Sequence, residues 1–295
     1  MIGRVIKFHN SFFFVELDGQ SAQLMPCSLR GLLKRDRRQT AVCAGDFVEI
    51  TPLDDGSGVI KRVVDRKNFL IRPAVANVDQ LILTFAAAEP DLHPLLLNRF
   101  LVLAEASAVE KIIICINKID LIDDAAHFLD DYSNLYDIIK VSARNGNGID
   151  RLRSKLADRV TVFAGPSGVG KSSLLNAIDP SIDQTVGSIS DKIRRGKNTT
   201  RVAELIKFAD GYLVDTPGFS AVELADLGVD EKNLAHYFPE FHQPSARCRF
   251  NPCSHSHEPD CAVKGAVDDG TILEQRYAAY VAMLKELKER DKKYD

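Results

Sequence analysis

The chain has 295 residues, of which 45% are hydrophobic and 27% are charged, and its formal net charge is -3. A chain of this length can bury more than one hydrophobic core, so we expect two or three domains. The small net charge excludes a protein that binds nucleic acid over its whole surface, and any RNA contact must come from a local basic patch. No apolar run approaches the roughly 20 residues that span a bilayer, and the N-terminus has no signal-peptide pattern. We therefore expect a cytoplasmic protein without membrane contacts.

Residues 1–68 contain short strand patterns separated by turn residues, which predict a small OB-like barrel. The predicted strands are Gly3–Lys7, Ser11–Leu17, Ala22–Cys27, Asp46–Pro52 and Val59–Val64. Between the third and fourth strands, the segment RGLLKRDRRQ carries Arg30, Lys34, Arg35, Arg37 and Arg38. Two interpretations of this basic segment stay open, a solvated loop and a contact to the RNA phosphate backbone.

Residues 69–222 alternate apolar strands with helical stretches, which predicts an α/β domain with a mostly parallel sheet. The predicted strands are Gln80–Phe85, Lys111–Ile116, Asp137–Val141, Val160–Ala164, Ala203–Phe208 and Gly211–Val214, and the helices are His93–Ser107, Ile149–Leu156 and Ser172–Ile178. Residues 223–295 read as a helical region. Its last helix, about 271–290, places an apolar stripe largely on one face, made of Ile272, Tyr277, Tyr280, Val281, Leu284 and Leu287.

The segment from Gly165 to Ser172 matches the phosphate-loop pattern G-x4-G-K-[ST] and joins an apolar strand to a helix. Its glycines let backbone N–H groups surround phosphates, and the helix N-terminus favours their negative charge. Lys171 would reach the β- and γ-phosphates of a nucleotide, and the Ser172 hydroxyl would bind Mg²⁺. The strand, helix, lysine and serine together make a chance glycine-rich turn a poor explanation.

Two further motifs, at the ends of consecutive strands, select the base. Asn117-Lys118-Ile119-Asp120 follows one predicted strand, and Ser142-Ala143-Arg144 follows the next. The Asp120 carboxylate can accept hydrogen bonds from guanine N1–H and the 2-amino group, whereas adenine offers a lone pair at N1. A backbone N–H in the second motif can bind guanine O6. The pair of motifs therefore predicts a guanine nucleotide as ligand.

Asp215-Thr-Pro-Gly218 closes another apolar strand and supplies groups for a magnesium nucleotide. Asp215 suits a contact to Mg²⁺ through its bound water, and the Gly218 N–H suits the γ-phosphate. Between the phosphate loop and this motif lies the segment 194–200, whose Thr199 or Thr200 would bind Mg²⁺ only when the γ-phosphate is present. A plain surface connection is the alternative for this segment. Base-selecting motifs that precede the phosphate loop indicate a circularly permuted GTPase, since a site built from strand ends survives a change of chain order.

A cluster of cysteines and histidines near the C-terminus fits a structural metal site. Cys248, Cys253, His255 and Cys261 offer three thiolates and one imidazole, which is a closed tetrahedral set for Zn²⁺. His257 is a competing imidazole, and cysteines without a metal are the other alternative.

These motifs together resemble the ribosome small-subunit-dependent GTPases of the RsgA/YjeQ type over essentially the whole chain. The resemblance rests on the RGLLKR segment, NKID, SAR, GPSGVGKSS, DTPGF and CSHSHEPDCAV in their permuted order. It implies an OB-like domain at 1–68, a permuted GTPase domain at 69–222 and a helical zinc domain at 223–295. It assigns nucleotide contacts to Asn117, Lys118, Asp120, Ser142, Ala143, Gly165, Pro166, Ser167, Gly168, Val169, Gly170, Lys171, Ser172 and Ser173.

The same resemblance implies that the protein hydrolyses GTP to GDP and phosphate, using Mg²⁺, in late maturation of the small ribosomal subunit. The subunit would stimulate hydrolysis, its rRNA would be the binding partner, and one zinc ion would be structural. Hydrolysis would depend on Lys171, Ser172, Thr199, Asp215 and Gly218. We expect a monomer.

This sequence departs from the family where hydrolysis would take place. The family has histidine before the switch threonines, and Asn198 stands here instead. Within the shared motif DTPGF, the residue after DTPG is Phe219 and not a water-positioning glutamine, so we expect slow intrinsic hydrolysis. Two other functions remain alternatives, an RNA-binding module with a structural nucleotide and a metabolic nucleotide kinase. The paired base motifs argue against the kinase.

Overall fold

A computed structural model describes residues 1–17, 24–29, 42–123, 127–182, 203–215 and 222–291. Within these residues the N-terminal strands close into a barrel of order β1-β2-β3-β5-β4. Its strands are β1 (Ile2–His9), β2 (Phe12–Leu17), β3 (Leu24–Leu29), β4 (Phe47–Pro52) and β5 (Gly58–Val63). Pairing of β1 with β4 closes the barrel, and only β3 and β5 run parallel. The predicted OB-like barrel is confirmed, and the basic segment 30–39 lies outside the described residues.

A six-stranded sheet follows in the described residues, with the order β10-β9-β8-β11-β13-β12. Its strands are β8 (Gln80–Ala86), β9 (Lys111–Asn117), β10 (Asp137–Lys140), β11 (Val160–Ala164), β12 (Ile206–Phe208) and β13 (Gly211–Asp215), and a small pair, β6 (Phe69–Leu70) and β7 (Val75–Ala76), precedes them. All neighbours in the large sheet are parallel except β12 and β13. The predicted strand 203–208 was too long, since the strand begins only at Ile206. Ala203 and Leu205 are buried in the core without being part of the sheet, so their apolar character misled the prediction.

Side chains of a strand alternate between the two faces of a sheet, so apolar strands make both faces of this sheet apolar. Helices cover both of them. Leu81, Leu83 and Phe85 of β8 face a core shared with the C-terminal region, whereas Ile82 faces the other core. The helices are α1 (Pro94–Ala106), α2 (His127–Asp130), α3 (Ile149–Ser154), α4 (Lys171–Ile178), α5 (His242–Ser245), α6 (Ala262–Asp268) and α7 (Glu274–Asp291). Short 3-10 turns lie at Ile119–Leu121, Asp131–Asn134, Leu224–Leu227, Leu234–Tyr237 and Pro239–Phe241.

The C-terminal helices pack on α1, so the predicted helical region shares a core with the sheet. Tyr280, Leu284 and Leu287 of α7 are buried there, as the apolar stripe predicts. Val281 was wrongly assigned to this stripe and is 36% exposed, because it lies beyond the edge of the packed face. No helix within the described ranges has the length and apolarity needed to cross a bilayer.

A buried ion pair ties α7 to the rest of the molecule. The Arg276 guanidinium is 0% exposed and donates two hydrogen bonds to Glu240, at 2.6 and 2.9 Å. It also donates to Asn98 Oδ1 of α1 at 2.9 Å, and Asn98 Nδ2 donates to the Tyr132 hydroxyl at 3.0 Å. The C-terminal region is thus joined to α1 by hydrogen bonds as well as by apolar contacts.

Candidate nucleotide site and metal centre

The predicted base motifs and the phosphate loop meet at one edge of the sheet. Asn117 ends β9, Ser142 follows β10 closely, and Gly165 directly follows β11. These strands are parallel, so their carboxyl ends lie side by side, which is where open α/β sheets bind ligands. The order of motifs along the chain therefore does not matter for assembling this edge.

The phosphate loop needs its glycines at two points of close approach. A Cβ on Gly165 would lie 2.0 Å from the Thr84 carbonyl oxygen of the neighbouring strand. Gly170 has φ +88°, and a Cβ there would lie 2.6 Å from Asn117 Nδ2. Helix α4 begins immediately after Gly170, so its N-terminal N–H groups face the loop. This geometry suits an anionic phosphate chain.

Lys171 lies where the phosphate loop would hold a phosphate chain. Its ammonium donates to the carbonyl oxygens of Gly165 and Pro166, at 2.8 and 2.7 Å. Those carbonyls belong to the loop itself, so the cation is held inside the turn. Ser172 and Ser173 are the next two residues of α4 and are exposed at its first turn.

Asn117 links the phosphate loop to the second base motif. Its Nδ2 donates to the Val169 carbonyl oxygen at 3.0 Å, and its Oδ1 accepts from the Ala143 N–H at 3.0 Å. The side chain is only 2% exposed. One buried amide therefore holds together the elements that would contact the phosphates and the base.

Asp120 lies at the outer end of this arrangement and is exposed to solvent. The Ser142 hydroxyl donates to its Oδ1 at 2.5 Å. That hydrogen bond holds the pKa of the Asp120 carboxyl below its usual value, with smaller contributions from Arg144 and Lys118. The carboxylate is therefore kept ionised as a hydrogen-bond acceptor, which is what recognition of guanine N1–H and the 2-amino group requires.

These groups line a cavity of about 420 Å³ at the sheet edge. Its walls are Glu89, Asn117, Lys118, Asp120, Leu121, Ala143, Arg144, Gly170 and Ser173. The cavity runs from the base motifs to the first turn of α4, so it has room for a nucleoside beside the phosphate loop.

Two lining residues were not predicted from the sequence. Glu89 lies in the loop after β8, and its carbonyl oxygen accepts a hydrogen bond from the Lys118 ammonium. Leu121 directly follows the NKID motif. Both positions could have been found, because Glu89 follows the end of another parallel strand and Leu121 adjoins a base motif.

The remaining predicted hydrolytic residues are described only in part. Asp215 ends β13, where its backbone pairs with Phe163 two residues before Gly165, so this strand end adjoins the phosphate loop. Thr199, Asn198, Gly218 and Phe219 lie outside the described residues.

The four predicted metal ligands converge. The thiol sulfurs of Cys248, Cys253 and Cys261 and a ring nitrogen of His255 all lie within 4.8 Å of one another. Cys261 Sγ is 3.9 Å from the other two sulfurs, and His255 Nδ1 is 3.6 and 3.5 Å from the sulfurs of Cys248 and Cys261. Tetrahedral zinc with bonds of about 2.3 Å to sulfur and about 2.0 Å to nitrogen gives sulfur–sulfur and sulfur–nitrogen separations of about 3.8 and about 3.5 Å. Sulfurs 3.9 Å apart are too far for a disulfide, which requires about 2.05 Å.

Burial and hydrogen bonding identify His255, rather than His257, as the fourth ligand. His255 is 4% exposed, and its Nε2 lies 3.2 Å from the Ser245 hydroxyl, which leaves Nδ1 to face the sulfurs. Burial lowers the pKa of His255, which favours the neutral imidazole that ligates metals. The hydroxyls of Tyr277 and Tyr280 on α7 donate to the carbonyl oxygens of His255 and Ser254, at 2.8 and 2.7 Å. Helix α7 thus supports the loop that presents the ligands.

Comparisons with known proteins agree with this geometry along the whole chain. The family profile described as "RsgA GTPase" matches residues 63–225, and the "RsgA N-terminal domain" profile matches residues 2–60. The small ribosomal subunit biogenesis GTPase RsgA of Thermotoga maritima is 44% identical over 297 residues, covering 99% of this chain and 98% of that protein. The Bacillus subtilis protein of the same name is 40% identical over 300 residues, covering 99% of each chain.

Solved structures show the same relationship. The crystal structure of YjeQ from Thermotoga maritima has a TM-score of 0.84 at 41% identity, covering 97% of this chain and 98% of that one. YloQ, described as a circularly permuted GTPase, has a TM-score of 0.81 at 37% identity, covering 98% of this chain and 95% of that one. The permuted order of the base motifs and the phosphate loop is therefore shared with structurally similar proteins, and the chain belongs to the RsgA GTPase family.

Proposed function

We propose that this protein hydrolyses GTP to GDP and phosphate while bound to the small ribosomal subunit, and that it assists the late maturation of that subunit. The observation that carries the proposal is the position of Asn117, which joins the phosphate loop to the second base motif beside the Asp120 carboxylate. Relatives that align over 98–99% of their own length are named small ribosomal subunit biogenesis GTPases.

Guanine selection follows from the carboxylate at the outer end of the cavity. An ionised Asp120 accepts from two adjacent N–H donors of guanine, whereas adenine presents a lone pair at the first of these positions. The Ala143 N–H is already bonded to Asn117 in this arrangement, so another N–H of the motif would contact guanine O6. A nucleotide kinase that uses ATP has no need of such a carboxylate, so the site favours a GTPase.

The phosphate end would work by positioning charge. Lys171 would leave the loop carbonyls for the β- and γ-phosphates, and the α4 N–H groups would bind phosphate oxygens. Mg²⁺, when bound with GTP, would neutralise charge on the β- and γ-phosphate oxygens, and Ser172, Thr199 and Asp215 would hold it directly or through water. The Gly218 N–H would contact the γ-phosphate.

Slow hydrolysis by the isolated protein follows from what these motifs lack. Asn198 cannot accept a proton at neutral pH, and Phe219 cannot orient water. These motifs would position the phosphates, but neither Asn198 nor Phe219 can deprotonate the attacking water. The small subunit would then raise the rate by ordering the protein's own groups or by supplying a missing one.

The C-terminal cluster is proposed as a structural zinc site. Cys248, Cys253, His255 and Cys261 would fill all four positions of a tetrahedral ion, which leaves none for a substrate. The ion would stabilise the loop on which α7 packs, rather than take part in hydrolysis.

The barrel is proposed as the part that binds rRNA, through the basic segment 30–39. We further propose domain boundaries at 68/69 and 222/223, a monomeric protein, and a cytoplasmic location in keeping with ribosome assembly.

Two binding measurements test this function. GTP and GDP should compete for the site far better than ATP. The protein should co-sediment with isolated small subunits, more strongly with a non-hydrolysable GTP analogue than with GDP, and not with large subunits. Raised salt should weaken the complex, because phosphate contacts release counterions. Equal binding of ATP, or equal binding to both subunits, would contradict the proposal.

A further inference from the structure

A β-bulge in the barrel turns one residue out of the barrel and into the neighbouring domain. In the pairing of β1 with β2, Val5 opposes Val15 and Lys7 opposes Phe14, so Ile6 has no partner in the ladder. Bulges of this kind redirect a side chain and free backbone groups. Val5 packs in the barrel core, whereas the adjacent Ile6, 6% exposed, packs in the core that lies under the GTPase sheet.

The released backbone group makes a specific contact across the two parts. The Ile6 carbonyl oxygen accepts a hydrogen bond from the Leu205 N–H at 3.0 Å. Leu205 is 2% exposed and belongs to the same core cluster as Ile6. This backbone hydrogen bond, together with the shared apolar contact, fixes the barrel against the segment that contains Leu205.

Ion pairs lie on either side of this contact. Lys7 Nζ is 2.9 Å from Glu204 Oε1, with the two side chains 37% and 24% exposed. On the other side, Glu16 of β2 accepts from Lys207 at 3.2 Å and from the Tyr212 hydroxyl. We define the bulge joint as Ile6 and Lys7 of the barrel with Glu204 and Leu205.

In the sequence, the joint lies between residues that are proposed to bind Mg²⁺. Glu204 and Leu205 come four to six residues after Thr199 and Thr200, and the same stretch continues through β12 and β13 to Asp215. The barrel therefore holds the chain between two groups proposed to bind Mg²⁺.

We propose that the bulge joint couples RNA binding by the barrel to GTP binding, with Ile6 and Lys7 as positioning residues that act through Glu204 and Leu205. This inference rests on the proposed function and adds how the subunit reaches the nucleotide. Thermodynamic linkage makes the effect reciprocal, so replacing GDP by GTP tightens RNA binding by the factor by which RNA raises the preference of the site for GTP over GDP.

The test measures that factor in the full-length protein. The affinity for small subunits is determined with a non-hydrolysable GTP analogue and with GDP, and the ratio is the coupling factor. Lys7→Glu and Glu204→Lys should each lower the factor by about fivefold, near the small end of known couplings. The double exchange Lys7→Glu/Glu204→Lys should restore it, because the ion pair is re-formed with its charges reversed.

A matched control separates coupling from the charge of the barrel. Arg62 forms an ion pair with Glu49 at 2.7 Å on the exposed surface of the barrel. Both residues belong to barrel strands, so this ion pair does not reach the GTPase sheet. Arg62→Glu makes the same charge change as Lys7→Glu and should keep the wild-type coupling factor. Thermal melting of each variant confirms that it is folded.

The outcomes distinguish this inference from the proposed function. If the wild-type protein is coupled but Lys7→Glu is equally coupled, or the double exchange fails to restore the factor, the bulge joint is overturned and the function stands. Loss of coupling in Arg62→Glu would overturn it as well. A wild-type protein that does not bind small subunits overturns the function itself.

Discussion

Replacement of Asn117 by alanine tests whether one side chain assembles the nucleotide site. The substitution removes the hydrogen bond to the Val169 carbonyl at 3.0 Å and the bond from the Ala143 N–H at 3.0 Å. Backbone pairing of β9 is kept, because the Asn117 carbonyl still accepts from the Ala87 N–H at 2.8 Å. The change is therefore confined to the link between the phosphate loop and the second base motif.

The magnitude follows from the two groups left without partners. Each buried polar group that loses its partner costs about 1–3 kcal/mol. Since the cavity lets water reach part of this region, we take about 3 kcal/mol for both. With about 1.4 kcal/mol per tenfold change in affinity, GTP and GDP should each bind roughly a hundredfold more weakly. The two losses should be similar, because the link does not involve the γ-phosphate.

Titration with fluorescent GTP and GDP analogues measures both affinities. Asn145→Ala is the matched control, since in the described part of the chain the Asn145 side chain accepts one hydrogen bond, from the Asn147 N–H in the exposed turn that follows. It should leave nucleotide affinity within about threefold, as expected for a surface substitution. Unchanged affinities in a folded Asn117→Ala variant, or a loss confined to GTP, would refute the assembly role.

Three other substitutions test separate parts of the molecule. Asp120→Asn should weaken GTP and improve xanthosine triphosphate in a competition assay, because one acceptor becomes a donor. Cys253→Ala should release one zinc ion per chain by elemental analysis and make the C-terminal region sensitive to proteases, since metal binding in such loops contributes folding energy. Arg276→Met should lower the free energy of unfolding in urea by about 3–5 kcal/mol, because Glu240 is left as an unpaired buried charge.

For each of these three substitutions, one result would contradict the prediction. Asp120→Asn with unaltered GTP affinity would remove the guanine assignment. A wild-type protein without zinc would end the metal proposal. Arg276→Met/Glu240→Met should recover most of the lost stability, because no unpaired charge remains, and a double variant as unstable as the single one would contradict the electrostatic explanation.

The nucleotide site could be predicted from the sequence because its residues follow apolar strands. The motifs at Asn117, Ser142 and Gly165 each follow a strand, and parallel strands place their carboxyl ends together. The metal ligands could be predicted for a similar reason, since a loop of 14 residues from Cys248 to Cys261 is short enough to bring its own side chains together. In both cases the spacing of the motifs along the sequence is enough to predict that their side chains lie close together.

Contacts between distant parts of the chain could not be predicted in this way. Ile6 lies in an apolar pattern that predicts a regular barrel strand, and the carbonyl of this bulged residue accepts from the N–H of Leu205, about 200 residues later. Arg276 interrupts an otherwise amphipathic helix, and its burial depends on Glu240 and Asn98. Choosing His255 over His257 required knowing which imidazole is buried among the sulfurs.

A steady-state GTPase assay with isolated small subunits, large subunits and neither tests the central proposal most directly. The proposed site would hold phosphates and guanine, but neither Asn198 nor Phe219 can deprotonate the attacking water. We predict slow hydrolysis by the protein alone and a large increase with small subunits only, weakened by raised salt as rRNA contacts are lost. Rapid hydrolysis by the isolated protein, or equal stimulation by both subunits, would contradict the account.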